Sequence, residues 1–338
     1  MDMTDRKKGI IFAGNMIVDY VKFVNEWPQE TCLTNITSKE LTLGGLACSC
    51  PIDMAKLAPE VPIKVIGIIG NDSPGDYVAQ RFAEYPSINT SSLMREGETS
   101  FTDVMTTPTG RRTFFTFNGA NAILGPEHFD FSGFDAAILH IGYIALLEKM
   151  DSPDPEYPTG MCHVLDMASK AGIVTSLDIC STSPERYATI AVPALAYTDI
   201  LTINDFEAEG VSGIKIRDEN GSFIAENLEP CVRKLASLGV KKWVCVHMPE
   251  ISVGFDVESG AYVEKIPPDV PRDFIKSSVG AGDAFATGLI YGAYRDIPLD
   301  KAIEEANAIA TLSLNGTGAT DAIRPLDEVL SEMEKYLV

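Results

Sequence analysis

The chain has 338 residues, 45% of them apolar, and its 48 Asp and Glu outweigh its 27 Lys and Arg to give a formal net charge of -21. Such a field repels nucleic acid and anionic membrane, so neither is expected as a partner, and the length suffices for one large α/β domain spanning 1–338. Seven cysteines without zinc-ligand spacing and four histidines without an HExxH pattern argue against a zinc hydrolase and for reduced thiols in a cytoplasmic protein.

The opening MDMTDRKKG has no apolar run of the kind a signal peptide carries, and no stretch approaches about 20 uninterrupted apolar residues. Short apolar runs then alternate with amphipathic stretches. Strands are predicted at Ile10–Ala13, Ile63–Gly67, Ala136–Ile141, Ile173–Leu177, Ile200–Ile203 and Trp243–His247. Helices are predicted at Gly75–Tyr85, Gly160–Lys170, Glu226–Ser237, Ala281–Tyr294 and Lys301–Leu314. Strand followed by helix, repeated, implies a mostly parallel sheet covered on both faces. The Pro- and acid-rich run Asp151–Thr159 reads as an exposed loop before a helix.

Two segments break this rhythm, at about 20–43 and 99–117. The second reads as two strands around a Pro108-Thr109-Gly110 turn, rich in the strand formers Thr113 to Phe117. Neither contains the helix that a parallel crossover requires, so they are expected to pair as a small separate β-sheet. That sheet would serve as a lid, as an oligomer interface, or as both. Its apolar strands make a homodimer through the lid an expectation.

The sharpest chemical signal is Val279-Gly280-Ala281-Gly282-Asp283-Ala284-Phe285, where an extended stretch gives way to a helix. Gly280 and Gly282 allow a tight turn with bare amides, and those amides with the helix dipole form an anion site. Asp283 falls in the first turn, where a carboxylate can take a proton from a hydroxyl while the amides hold a phosphoryl group. A plain glycine turn with an acidic helix start would look the same. There is no GxxxxGK[ST], so this is not a P-loop protein, and the GxGxxG fingerprint is absent.

Together with the order of several weaker motifs, this element resembles the ribokinase-like (PfkB-type) carbohydrate kinases over nearly the whole chain. Those motifs are Gly14-Asn15-Met16-Ile17-Val18-Asp19, the pair Gly44-Gly45, Gly70-Asn71-Asp72-Ser73-Pro74-Gly75, Arg112 to Phe117 with Gly119-Ala120-Asn121, and Asn204-Asp205-Phe206-Glu207. The resemblance implies a three-layer α/β/α sandwich with a mostly parallel sheet and a small β-sheet lid. It implies an ATP-dependent phosphotransferase acting on a hydroxyl of a sugar-like molecule. Asp283 would be the general base, and Gly280, Ala281 and Gly282 the anion hole. Asn15, Asp19, Gly44, Gly45 and Ser49 would meet the acceptor. Asn204 and Glu207 would organise Mg²⁺ through water, and His247 and Asn307 would lie at the nucleotide, its base in an apolar slot around Asn307 to Leu314.

The chain departs from the family pattern at three places. Ser49 stands where an Asn is usual, so a sugar contact is lost or bridged by water. Ser277-Ser278-Val279 replaces Asp-Thr-Thr, so potassium activation is not expected. His247-Met248-Pro249-Glu250-Ile251-Ser252 replaces a glycine-containing nucleotide loop, and Pro249 has a fixed φ and no N–H. Two rival readings therefore stand beside the sugar kinase: a nucleoside (adenosine-like) kinase, suggested by the Asn15 to Asp19 spacing, and a degenerate kinase that only binds a small molecule. Arg111 and Arg112, at the lid hairpin, could reach a phosphorylated substrate or simply be a solvated turn.

Overall fold

A computed structural model describes residues 9–337. Its strands, in chain order, are β1 (Gly9–Gly14), β2 (Ile17–Val24), β3 (Ile36–Gly44), β4 (Ile63–Ile69), β5 (Ile88–Arg95), β6 (Phe101–Thr106) and β7 (Arg112–Phe117). They continue with β8 (Ala136–Ile144), β9 (Val174–Ile179), β10 (Ile200–Asn204), β11 (Trp243–His247), β12 (Ser252–Asp256) and β13 (Tyr262–Lys265). Nine of them form one sheet in the order β13-β12-β11-β10-β9-β8-β1-β4-β5. The run from β5 to β11 is parallel throughout, and β12 and β13 add an antiparallel edge.

Alternation along β1 shows why the sheet carries helices on both faces. Ile11 and Ala13 point to one side and pack with Leu139, Ile141 and Leu177 against the helices Gly160–Lys170 and Ala225–Ser237. Ile10 and Phe12 point to the other and pack with Val65 and Ile69 against the helices Leu46–Leu57 and Ala281–Tyr294. A strand buried on both sides reads as a continuous apolar run, which is how these strands were legible.

The two segments expected to pair apart from the main sheet do so. They form a four-stranded sheet in the order β3-β2-β6-β7, antiparallel except for the parallel β2–β6 pair. Polar anchors tie its base to the body. Asp72 caps the helix Ser73–Ala83 by accepting from Gly75 N at 2.9 Å, and its other oxygen accepts from Thr99 N at 2.8 Å, just ahead of β6. Asn121 Oδ1 accepts from Met16 N at 3.0 Å, just ahead of β2. Among the described residues, no helix is long and apolar enough to cross a membrane.

Candidate active site

The C-terminal ends of β1, β8, β9, β10 and β11 converge beneath the small sheet, where open parallel sheets place their ligand crevices. The helix Ala281–Tyr294 points its N-terminus at this place. Gly280 caps that helix with φ +82°, and a Cβ there would lie 2.6 Å from Ala319 O, so only glycine fits. Gly282 is different: a Cβ would meet nothing closer than His247 Cε1 at 3.5 Å, which leaves its backbone bare toward the crevice. The first amides of such a helix have no partner inside it.

Asp283 is buried in the first turn. Its Oδ1 accepts a hydrogen bond from Tyr143 Oη at 2.5 Å. Burial raises its proton affinity, while Tyr143 and the nearby Ser49 hydroxyl counter the rise. The Ser49 hydroxyl faces the carboxylate without closing a hydrogen bond of good geometry. Asp19, on β2, approaches from the small sheet; burial pushes its carboxyl up to about 6, Arg112 pulls it down and Asp283 adds to the rise. Its Oδ2 sits 2.3 Å from where a Cβ on Gly44 would be, so Gly44 makes room for it. Gly45, at φ +81°, starts the helix Leu46–Leu57 and passes so close to Asn15 that a Cβ would lie 2.4 Å from its carbonyl oxygen.

Asn15 itself is buried, and both ends of its amide are engaged: Oδ1 accepts from Tyr143 N at 2.6 Å and Nδ2 donates to Leu146 O at 3.2 Å. In this arrangement it locks the end of β1 to the end of β8. Asn204 and Glu207 form a reciprocal cap on the helix Asp205–Ser212. Asn204 Oδ1 accepts from Glu207 N at 2.9 Å, and Glu207 Oε2 accepts from Asn204 N at 3.0 Å. The other Glu207 oxygen accepts from Ser181 Oγ at 2.9 Å.

Two cavities meet here. One, of about 210 Å³, is lined by Tyr143, Asp178, Asn204, Glu207, Gly280 and Asp283 among others. The second, of about 390 Å³, shares Asn204, His247 and Gly282 and continues to the apolar Ile275, Phe285, Ala310 and Leu314. Asn307 lines this second cavity, with Oδ1 accepting from Ser252 Oγ at 2.6 Å. The His247 ring packs on Phe285, and burial holds the imidazole below its ordinary proton affinity although part of it reaches the crevice. The altered loop after β11 is a tight hairpin with Pro249 and Glu250 at its tip, closed by Met248 N donating to Ile251 O at 3.1 Å. A larger cavity of about 570 Å³, lined by Glu127, Lys149, Asp154 and His163, contains none of these residues.

The chain matches the pfkB family carbohydrate kinase profile over residues 7–325. It belongs to that family. Among curated relatives, the kinase is 26% identical to an ATP-dependent ribose-1-phosphate kinase of Halopiger xanaduensis, covering 93% of this chain and 94% of the relative. It is 22% identical to a ribokinase of Staphylococcus aureus, covering 95% and 98%. Its fold is that of the Arabidopsis thaliana ribokinase solved with ribose and ATP, with a TM-score of 0.76 at 19% identity, covering 97% of this chain and 99% of that one. The kinase is thus a ribokinase-family sugar kinase with the expected three-layer architecture and small sheet.

Sequence reasoning missed two carboxylate-side neighbours of Asp283. Tyr143 follows a strand-end glycine and belongs to none of the motifs quoted. Asp178 follows the predicted strand Ile173–Leu177 directly, so the rule that crevices open at the carboxyl ends of parallel strands could have found it. Asp178 is buried and its proton affinity is raised by desolvation and by Glu207 and Asp283.

Buried acids of this kind set a pH dependence of stability. Asp19 and Asp151 are pushed up to about 6, mainly by burial, and burial also raises Asp53, which has no hydrogen-bond partner for either oxygen. Between the ordinary carboxylate range and about pH 6 the folded kinase therefore binds more protons than the unfolded chain, and its stability falls as pH rises through that window. Acids shifted the other way, such as Asp130 and Glu250, lie at the surface, where solvent screens them. The buried His140 and His247, held neutral by desolvation, oppose the trend, but the raised buried acids, Asp178 and Glu207 included, outnumber them. The ligand-free kinase is expected to melt at a higher temperature at pH 5.5 than at pH 8, and Asp53→Asn to flatten the difference. A melting temperature that rises steadily from pH 5.5 to 8 would contradict this.

Proposed function

We propose that the kinase transfers the γ-phosphate of ATP to a hydroxyl of a sugar or sugar-like molecule, with Asp283 as the general base. The observation that carries this reading is a single buried carboxylate at the N-terminus of a long helix, facing both Asp19 and the cavity of Asn204, Glu207 and Gly282. The acceptor hydroxyl gives its proton to Asp283, its oxygen bonds to the γ-phosphorus, and the bond to the bridging oxygen breaks to release ADP. The amides of Ala281 and Gly282 and the helix dipole stabilise the charge that builds on the moving phosphoryl group. The cavity lined by Phe285, Ala310 and Leu314 suits a nucleobase.

Mg²⁺ fits the same reading through water. No three His, Cys, Asp or Glu among the described residues are grouped so as to hold a metal directly. Asp178 and Glu207 nonetheless place buried carboxylates on the phosphate cavity, and magnesium keeps most of its waters and takes few protein ligands. Bound there, the ion would offset charge on the phosphates.

An ADP-release assay over sugars and nucleosides tests the proposal. Turnover with sugars supports it, and preference for adenosine would move the assignment to a nucleoside kinase. Saturable binding without ADP release, unaffected by Asp283→Ala, would leave only a binder.

Tyr143 holds the base. Its hydrogen bond favours the charged carboxylate, so Tyr143→Phe raises the proton affinity of Asp283 further. The base works only when deprotonated, so the acid limb of the kcat/KM profile moves to higher pH. Activity should fall more at pH 6 than at pH 8, and an unmoved limb would remove Tyr143 from this role.

The small sheet also suits pairing with a second copy. Phe115 stacks on Trp27 with ring centroids 6.2 Å apart, and Phe117 packs on Phe101. Trp27, Phe115, Phe117 and Leu41 are all at least 40% exposed. Sedimentation should show a dimer that Phe115→Glu weakens by at least about tenfold. A monomer at high micromolar concentration would exclude it.

A further inference from the structure

The face of the small sheet that carries Asp19 also carries a cation, Arg112, that forms no ion pair with any described residue. Register settles which residues share that face. Asp19 pairs with Thr102 and Thr102 with Thr116, while Arg112 pairs with Thr106, four residues from Thr102 along β6 and from Thr116 along β7. Residues an even number apart lie on one side of a strand, so Asp19 and Arg112 face the same way. The Arg112 side chain crosses the crevice to the segment just ahead of the anion-binding helix, where Nη2 lies 3.4 Å from Ser277 Oγ. That is a long contact to a neutral hydroxyl. The guanidinium is also close enough to Asp19 to pull its proton affinity down, without forming an ion pair with it.

Other arginines of the chain, Arg81, Arg95, Arg217 and Arg295 among them, do hold carboxylates. Arg112 forms no ion pair among the described residues, although Asp19 lies near it, the adjoining cavity carries Asp178, Glu207 and Asp283, and the chain has a net charge of -21. Those carboxylates repel an anionic acceptor unless a fixed cation receives it. A planar guanidinium is the group best matched to phosphate or carboxylate oxygens.

We propose that the acceptor of this kinase carries an anionic substituent, a phosphate or a carboxylate, and that Arg112 receives it while Asp19 holds hydroxyls and Asp283 faces the one that reacts. The proposal rests on the sugar-kinase reading and gives it a substrate class. Arg111, one residue earlier and at the exposed turn, has no part in it.

The test is equilibrium titration without ATP, using matched probes: ribose against ribose 5-phosphate, and glucose against gluconate. The wild-type protein should bind at least one anionic member about 10- to 100-fold more tightly than its neutral partner. The pair that shows the preference identifies phosphate or carboxylate as the group. Arg112→Ala should bring that ratio close to one, and Arg112→Lys should retain part of it. Equal or absent binding of the anionic member in both pairs overturns the proposal. So does an Arg112→Ala variant that weakens both members of a pair by the same factor, which would assign the guanidinium to holding the small sheet over the crevice. Anion-selective binding by a protein that releases no ADP with the same sugar leaves this inference standing and removes the kinase reading.

Discussion

Replacing Asp283 by Asn is expected to lower kcat by roughly 10²–10⁴ while leaving KM within a few-fold. The substitution keeps the shape of the side chain, and its amide oxygen can still accept from Tyr143 Oη. What it removes is the proton acceptor and its negative charge. Desolvation raises the proton affinity of this carboxylate, which makes it a better proton acceptor than an exposed aspartate. Steady-state kinetics with the best acceptor from the ADP-release panel provide the measurement. A kcat within about threefold of the wild type would end the general-base assignment, whatever happened to KM.

The largest loss of stability is expected from Gly14→Ala. Gly14 ends β1 at φ +121°, opposite Gly142 at the end of β8. A Cβ there would lie 1.6 Å from the Gly142 carbonyl oxygen and 2.8 Å from its carbonyl carbon. Both contacts are backbone of a paired strand, so no side chain can swing away, and the strands must separate. The cost should be about 3 kcal/mol or more, seen as a melting temperature lower by roughly 5 °C or more. Gly110→Ala is the control. It also has positive φ, +78°, but nothing lies within 4 Å of its would-be Cβ, so only the conformational penalty of about 1–2 kcal/mol remains. If the two variants melt together, the packing argument at Gly14 is wrong. Asn15 and Tyr143 adjoin this contact, so Gly14→Ala should also lose activity out of proportion to its folded fraction.

The elements that sequence made legible are those with a period or a boundary. The helix from Ala281 was marked by its glycines, and the parallel strands by apolar runs between turns. The helix Leu46–Leu57 is marked only at its start, by Gly44-Gly45; it is buried on nearly every side and contains Pro51, so no polar face repeats along it to give its length. Strands β12 and β13 form an antiparallel edge that the strand–helix rhythm does not announce. In the site, Asp283 and the glycines around it were legible because the chemistry proposed for them needs particular residue types at fixed spacing. The amide of Asn15 turned inward to Tyr143 and Leu146 is a fact of tertiary contact between β1 and β8. No local pattern could have given it, or the reach of Arg112 across the crevice to Ser277.

The groups proposed to face an acceptor are divided between two bodies. Asp19 and Arg112 ride on the small sheet, while Asp283 belongs to a helix packed into the main core. The anchors at Asp72, Thr99, Asn121 and Met16 lie at the junction between them. A tilt about that junction moves Asp19 and Arg112 as one piece toward or away from Asp283. On the proposed roles the enzyme would work as a caliper: a molecule long enough to touch both jaws would set their gap, and water, which touches only one, would not.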